Sequence, residues 1–205
     1  MTAKDYILQN ARYHNFTLSD GTEVTPSDGH NFYPLLDVIF SDDMSGKTLL
    51  DIGCSNGFYT TEAAKRNAKC TGVESSPAFL KTASLIAKDA SVEIDFINGF
   101  WGRSSHSLSE SFSDDGFDIV LLMNVIHHND TREAADYQLT EAMRVASEVL
   151  ILCVVNEEDK PNKIYYPNDD IKKIVSSKFS IDKEVPYLEA GGNCTGRTIF
   201  TCKRL

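Results

Sequence analysis

Two carboxylates and two glycines pose the first chemical question. In LLDIGCSNGFYTTEA, residues 49 to 63, a β-favouring run carries Asp51 into a turn-rich segment bracketed by Gly53 and Gly57, and a helical pattern follows. Strand, glycine turn and helix in that order make a cradle for the charged end of a ligand. The dinucleotide form, G-x-G-x-x-G, needs glycine for the turn, for close approach of a pyrophosphate and for helix packing. Here those slots hold Gly53, Ser55 and Phe58, so only the first survives. Asp51 adds a negative charge that works against a pyrophosphate and suits an ammonium group. Glu74 stands 21 positions after Gly53, where a carboxylate ending the next strand accepts both hydrogen bonds of a ribose diol. Together they point to a nucleoside with an amino-acid tail. The plainer alternatives are a turn cap for Asp51 and a solvated strand end for Glu74.

Such residues need a sheet to hold them. The sequence predicts strands at Thr48–Ile52, Cys70–Glu74, Glu93–Asn98, Phe117–Met123 and Val149–Val155. These runs are short and nearly all apolar, as in strands covered on both faces. Amphipathic helices are predicted between them at Tyr59–Arg66, Pro77–Lys88 and Arg132–Ala146, with Ser76 as an N-cap and Pro77 at the first helical position. Strand alternating with helix implies an α/β doubly wound sheet. After a helix near Asp169–Ser177, two strand patterns at Phe179–Val185 and Arg197–Lys203 flank a loop too short for a crossover helix. They are expected to pair as an antiparallel hairpin. RSSHSLSESFSDDG, residues 103 to 116, reads as a mobile serine-rich loop. Upstream, turns at Asp20-Gly21 and Asp28-Gly29 describe an arm leading to a helix at Phe32–Phe40.

Composition narrows the partners. The 205 residues suffice for one sizeable core, and acids outnumber bases by 30 to 20, giving a net charge of −10. That balance favours a small-molecule partner over nucleic acid, leaving only a local basic patch around Lys172, Lys173 and Lys178. Five scattered cysteines, Cys54, Cys70, Cys153, Cys194 and Cys202, show no zinc spacing and suit a reducing compartment. No metal is expected. MTAKDYILQN reads as neither signal peptide nor membrane anchor, so a soluble, cytoplasmic protein is expected. The oligomeric state is left open.

LLDIGCSNGFYT, GVESSPAF and FDIVLLMNVIHH resemble successive motifs of the class I S-adenosylmethionine-dependent methyltransferases, over roughly residues 46 to 155. S-adenosylmethionine has no phosphate and presents a sulfonium and a methionyl ammonium, as the reading of Asp51 asks. The resemblance implies a Rossmann-like, seven-stranded, mostly parallel sheet with an antiparallel C-terminal hairpin and helices on both faces. It implies Asp51, Gly53, Cys54, Ser55 and Gly57 on the methionyl side, Glu74 at the ribose and Ser75 beside the adenine. Asn124 and Val125 would flank the transferable methyl. Many members place an Asp after a glycine at the third strand to hold the adenine amino group, whereas here Gly99 precedes Phe100. Adenine would then rest on a backbone amide and on Phe100 or Trp101, unless both aromatics are core.

Methyl transfer from a sulfonium is an in-line displacement, and a base is needed only where the acceptor must lose a proton. His128 matches the recurrent family position for that role, or else hydrogen-bonds a loop and shapes the pocket; His127 is expected exposed or packed. Residues 46–205 would be the methyltransferase domain, with residues 1–45 as an arm and helix on the substrate side. ARYHNFTLSDGTEVTP, through Tyr13, His14, Asp20, Gly21, Thr25 and Pro26, is similar to a segment of the tRNA wobble-uridine carboxymethyl transferases and their relatives. Tyr13, His14 and Tyr33 would serve the acceptor site as part of a lid, or pack on the first helix. Arg197 would grip an acceptor carboxylate if its strand starts at the carboxyl edge. The leading expectation is a small-molecule methyltransferase. The alternatives are an RNA-modifying transferase of the wobble-uridine type and a catalytically inactive cofactor-binding partner subunit.

Overall fold

A computed structural model describes residues 1–102, 108–156, 164–187 and 196–205. Two compact units emerge, Met1–Gly99 and Phe100–Leu205.

The first unit opens with α1 (Ala3–Asn10), started by a capping box in which Thr2 and Asp5 satisfy each other's backbone N–H groups. A two-stranded ribbon, β1 (Phe16–Thr17) and β2 (Glu23–Val24), precedes α2 (Tyr33–Ile39). Neither α1 nor the ribbon was expected from the pattern. The helix is short and only weakly amphipathic, and the strands are too short to show a period. α1 is held by packing on a later helix, with the Lys81 ammonium 4.0 Å from the centre of the Tyr6 ring.

The units that follow were legible to within a residue or so: β3 (Thr48–Ile52), α3 (Phe58–Lys65), β4 (Lys69–Glu74), α4 (Pro77–Asp89) and β5 (Ile94–Asn98). The three strands run parallel in the order β5-β4-β3. Leu49, Leu50, Ile52 and Val73 are buried, and Leu80 and Ala83 of α4 join them. Each large apolar side chain so buried contributes about 1.5–3 kcal/mol. Ser76 caps α4 through its hydroxyl on the Phe79 N–H, with Pro77 at the first helical position, as read from the sequence.

The second unit contains β6 (Phe117–Met123), α5 (Arg132–Val145), β7 (Ala146–Val155), α6 (Asn168–Val175), β8 (Phe179–Pro186) and β9 (Arg197–Arg204). Its strand order is β6-β7-β9-β8, with β6 and β7 parallel and β9 antiparallel to both of its neighbours. The predicted hairpin is therefore present, and the last strand lies between β7 and β8. β7 starts three residues before the expected Val149, because α5 ends at Val145 and the chain turns straight into the strand at Ala146.

Two expected loops lie partly outside the described residues: 103–107 of the serine-rich segment and 188–195 of the hairpin loop, which includes Cys194. The described remainder of the serine-rich segment is tied down. Arg144 donates to the carbonyls of Ser109 at 2.7 Å and Phe112 at 3.0 Å, and pairs with Asp114. No helix among the described residues is long and apolar enough to cross a membrane.

Candidate functional site

In the first unit the turn after β3 is built from backbone. Gly53, Ser55 and Gly57 all have positive φ, at 73°, 51° and 73°. The N–H groups of Gly53 and Cys54 both reach the Val73 carbonyl, at 2.8 and 3.1 Å, which clamps the turn to the end of β4. Two close approaches explain why glycines stand here. A Cβ on Gly57 would lie 3.1 Å from both Ala83 Cβ and Phe96 Cζ. One on Gly72, in β4, would lie 2.9 Å from both Cys54 Sγ and Phe96 Cδ1. A glycine inside a strand marks such an approach, so Gly72 was readable from the sequence but was passed over.

Glu74 closes the cluster. Its carboxylate accepts from the Ser55 N–H at 3.1 Å, the Ser76 N–H at 2.8 Å and the Ser75 hydroxyl at 3.2 Å. It is thus held against the turn by its neighbours and is more than a solvated strand end. A carboxylate offers about four acceptor positions, so one further donor is accommodated and a second enters if the Ser75 hydroxyl swings away. Behind it, the Asn98 amide donates to the carbonyls of Glu74 and Ser75, both at 3.0 Å, and the Gly99 N–H reaches the Glu74 carbonyl at 3.0 Å.

Asp51 is 2% exposed and accepts from the Thr60 hydroxyl at 2.6 Å. Burial pushes its carboxyl up to about 7; the Glu74 charge adds to this and the Thr60 hydrogen bond opposes it. Burial thus favours the protonated form, and a cation brought beside it would drive the proton off. Cys54 is buried too, and its thiol is pushed far up by burial, then by the charges of Asp51 and Glu74.

The arm meets the turn directly. The buried side chain of Asn56 donates to the Arg12 carbonyl. His14 lies flat on Phe58, with ring centres 4.7 Å apart and planes 9° apart, and Phe32 and Tyr59 enclose it. Phe58 is thus the platform on which the arm is stacked, which accounts for an aromatic where a dinucleotide fold needs glycine. Burial lowers the His14 imidazole to about 3. Tyr13, at φ 64°, and Tyr33 remain partly exposed, with Tyr13 edge-on to Phe79 and Tyr33 edge-on to Phe58.

In the second unit a different cluster follows β6. Asn124 has φ 58°, and its N–H reaches the Cys153 carbonyl at 3.2 Å. Its Oδ1 accepts from Arg197 Nη1 at 2.6 Å and from the Cys153 thiol at 3.1 Å, while its Nδ2 donates to the Tyr187 hydroxyl at 3.4 Å. Val125 follows, half-buried, and leads into a 3-10 turn at Ile126–His128. His127 is the buried histidine of the pair and His128 the exposed one, their rings 4.1 Å apart. Of the two aromatics proposed for adenine, Trp101 is core, stacked toward Phe112, while Phe100 is 44% exposed.

The sequence from 49 to 148 matches a family model described as a methyltransferase domain. Residues 49–148 are a methyltransferase domain. Ubiquinone biosynthesis O-methyltransferase of Pasteurella multocida is 29% identical over 92 residues, 43% of this chain and 38% of that one. The Maricaulis maris enzyme of that name is 36% identical over 83 residues, 40% of this chain and 31% of the other. The matched part is therefore only about a third of these curated relatives' length. Among solved structures, magnesium protoporphyrin IX methyltransferase from Synechocystis PCC 6803 with bound SAM superposes with a TM-score of 0.65 at 19% identity, over 84% of this chain and 75% of that one. A SAM-dependent methyltransferase from Aquifex aeolicus gives 0.57 at 15% identity, over 86% and 90%. The fold is the Rossmann-like, seven-stranded class I methyltransferase fold.

Within the methyltransferase domain, the structure brings Asp51, Gly53, Cys54, Ser55, Gly57, Glu74, Ser75 and Gly99 into one cluster. In the second unit, Asn124 and Arg197 form another. Sequence reasoning missed Asn56, Asn98, Thr60 and Tyr187. Asn and Thr are common turn and cap residues, so their types alone carried no signal.

Proposed function

We propose that the protein transfers a methyl group from S-adenosylmethionine to a small-molecule acceptor. What supports this most is the Glu74 carboxylate bonded to the Ser55 amide, which joins a diol acceptor to the turn that follows Asp51. The donor set fits the cofactor: one carboxyl poised to ionise beside an ammonium, a second fixed for hydroxyls, and glycines where a Cβ would collide. The bound group supplies an activated methyl on a sulfonium.

The chain's own work is then binding and alignment. Asp51 takes the ammonium and sheds its proton. Glu74 accepts from the ribose hydroxyls as Ser75 yields. Phe100, which stands where many members place the Asp, would offer a ring face to the adenine. Asn124 and Val125 would flank the transferable methyl. His128, exposed after β6, receives a proton from a hydroxyl or amine acceptor. Residues 1–45 form the acceptor-side arm, presenting Tyr13 and Tyr33, while His14 anchors it. The described cysteines are free thiols, as a reducing cytoplasm keeps them.

Calorimetry with adenosylhomocysteine and with NAD tests this reading. Heat with the first and none with the second is expected, and the reverse pattern ends the proposal.

A further inference from the structure

Arg197 is a half-buried arginine, and four other arginines show how this fold usually treats that charge. Arg66 pairs with Glu62 at 3.1 Å, Arg132 with Asp136 and Asp170 at 3.1 and 3.2 Å, Arg144 with Asp114 and Glu141 at 2.6 and 2.9 Å, and Arg204 with Asp115 at 3.1 Å. Arg197 is half-buried, and among the described residues it meets no carboxylate. Its partners are neutral: the Asn124 amide oxygen at 2.6 Å and the Tyr187 ring, 6.0 Å from the guanidinium carbon.

The guanidinium is also aimed. Asn124 is fixed by its backbone bond to Cys153 and by side-chain bonds to Cys153 and Tyr187, so its oxygen points one way. Arg197 spends one of five N–H donors on that oxygen and keeps a planar fork for a ligand. Its place in the sheet is the ligand-binding edge. Arg197 pairs with Val155 at the end of β7, and Asn124 directly follows Met123, which pairs with Cys153 at the end of β6. Ligands in open α/β sheets bind beyond the carboxyl ends of the strands.

We infer that Arg197, steered by Asn124, anchors a carboxylate on the methyl acceptor, so that the protein selects carboxylic acids over their neutral analogues. This rests on the methyltransferase reading above. A monoanion is the matching ligand. It balances one guanidinium among neutral neighbours, whereas the second charge of a phosphate finds no second cation in the cluster.

The test uses the full chain saturated with adenosylhomocysteine, titrated with 4-hydroxybenzoate, 4-hydroxybenzamide and 4-hydroxyphenyl phosphate. The benzoate is expected to bind about tenfold or more tighter than the amide. Arg197→Gln removes that preference, and Arg197→Lys restores part of it. Equal binding of acid and amide, no binding of any of the three, or a preference that survives Arg197→Gln overturns the inference. So does a preference for the phosphate, or a loss of adenosylhomocysteine affinity in Arg197→Gln as large as the loss for the benzoate. Failure of adenosylhomocysteine to bind the unaltered protein breaks the methyltransferase reading instead. The benzoate titration on unliganded protein then still reports on Arg197.

Discussion

The turn at Gly53–Gly57 and the cluster at Asn124 solve the same problem with different materials. The first is backbone: three positive-φ residues in five, two N–H groups on one carbonyl, and a carboxylate received by the amides of Ser55 and Ser76. The second is side chain: an amide just after β6, a thiol of β7, a phenol just after β8 and a guanidinium of β9. A left-handed residue appears in both, as glycine where neighbours press close and as asparagine where the side chain is itself needed. Their charges differ as well. Burial brings Asp51 toward neutrality, while the Arg197 guanidinium meets only neutral partners among the described residues. A backbone cradle accepts any ligand of the right shape and end-charge; a side-chain cluster discriminates.

If that contrast is right, steric insult to the cradle is the most damaging change. Gly72→Val must displace the Cys54 sulfur and the Phe96 ring, and is expected to cost about 3 kcal/mol of stability and to abolish adenosylhomocysteine binding. Urea denaturation and calorimetry measure the two; a variant that binds normally would show the cradle to be loose. Asp51→Asn comes next, weakening adenosylhomocysteine about tenfold or more at pH 8. In the unaltered protein, lowering the pH from 8 to 6 protonates Asp51 and should cost about tenfold in affinity; in the variant the profile is flat.

The same unit carries two opposed pH dependences of stability. Asp51 titrates at about 7 folded against an ordinary 3.8, so its contribution is present below 3.8 and lost as pH rises through 7. His14 titrates at about 3 folded against 6.5, so its contribution is present above 6.5 and lost as pH falls toward 3. Asp28 and His30 are the charged neighbours that bear on His14, pulling in opposite directions. Between 3.8 and 6.5 the two slopes oppose each other. His14→Phe, which keeps the stack on Phe58, should leave a protein that loses stability as pH rises from 4 to 7, and Asp51→Asn should leave the reverse; melting temperatures across that range decide it. Asn124→Gly is the mildest change. It tolerates the positive φ and removes only the amide, so stability should fall by about 1 kcal/mol while adenosylhomocysteine binding changes far less than in Gly72→Val.

The two regions also differ in how far the sequence revealed them. Asp51, Gly53, Gly57 and Glu74 stand close together in the chain, and the alternation of strand and helix fixes which carboxylate ends which strand. The Asn124 cluster is assembled by register. Arg197 meets Asn124 across 73 positions because β9 runs antiparallel to β7, and a one-residue slip would turn it to the other face. Pattern gave the hairpin but not that register. The helix at Ala3–Asn10 and the His14 stack were hidden for another reason. Both depend on packing partners from α3 and α4, and short segments with weak periodicity announce no partner.

Asn56 sits inside the turn yet spends its side-chain amide on the carbonyl of Arg12. Whatever stiffens residues 53–57 therefore steadies the chain on either side of Tyr13. Occupancy of the cradle should be readable at a distance, as slower deuterium uptake at the amides of His14 and Asn15, which donate to Arg12 and His30. Cutting that one tether with Asn56→Ala would leave the cradle filled and the distant signal silent.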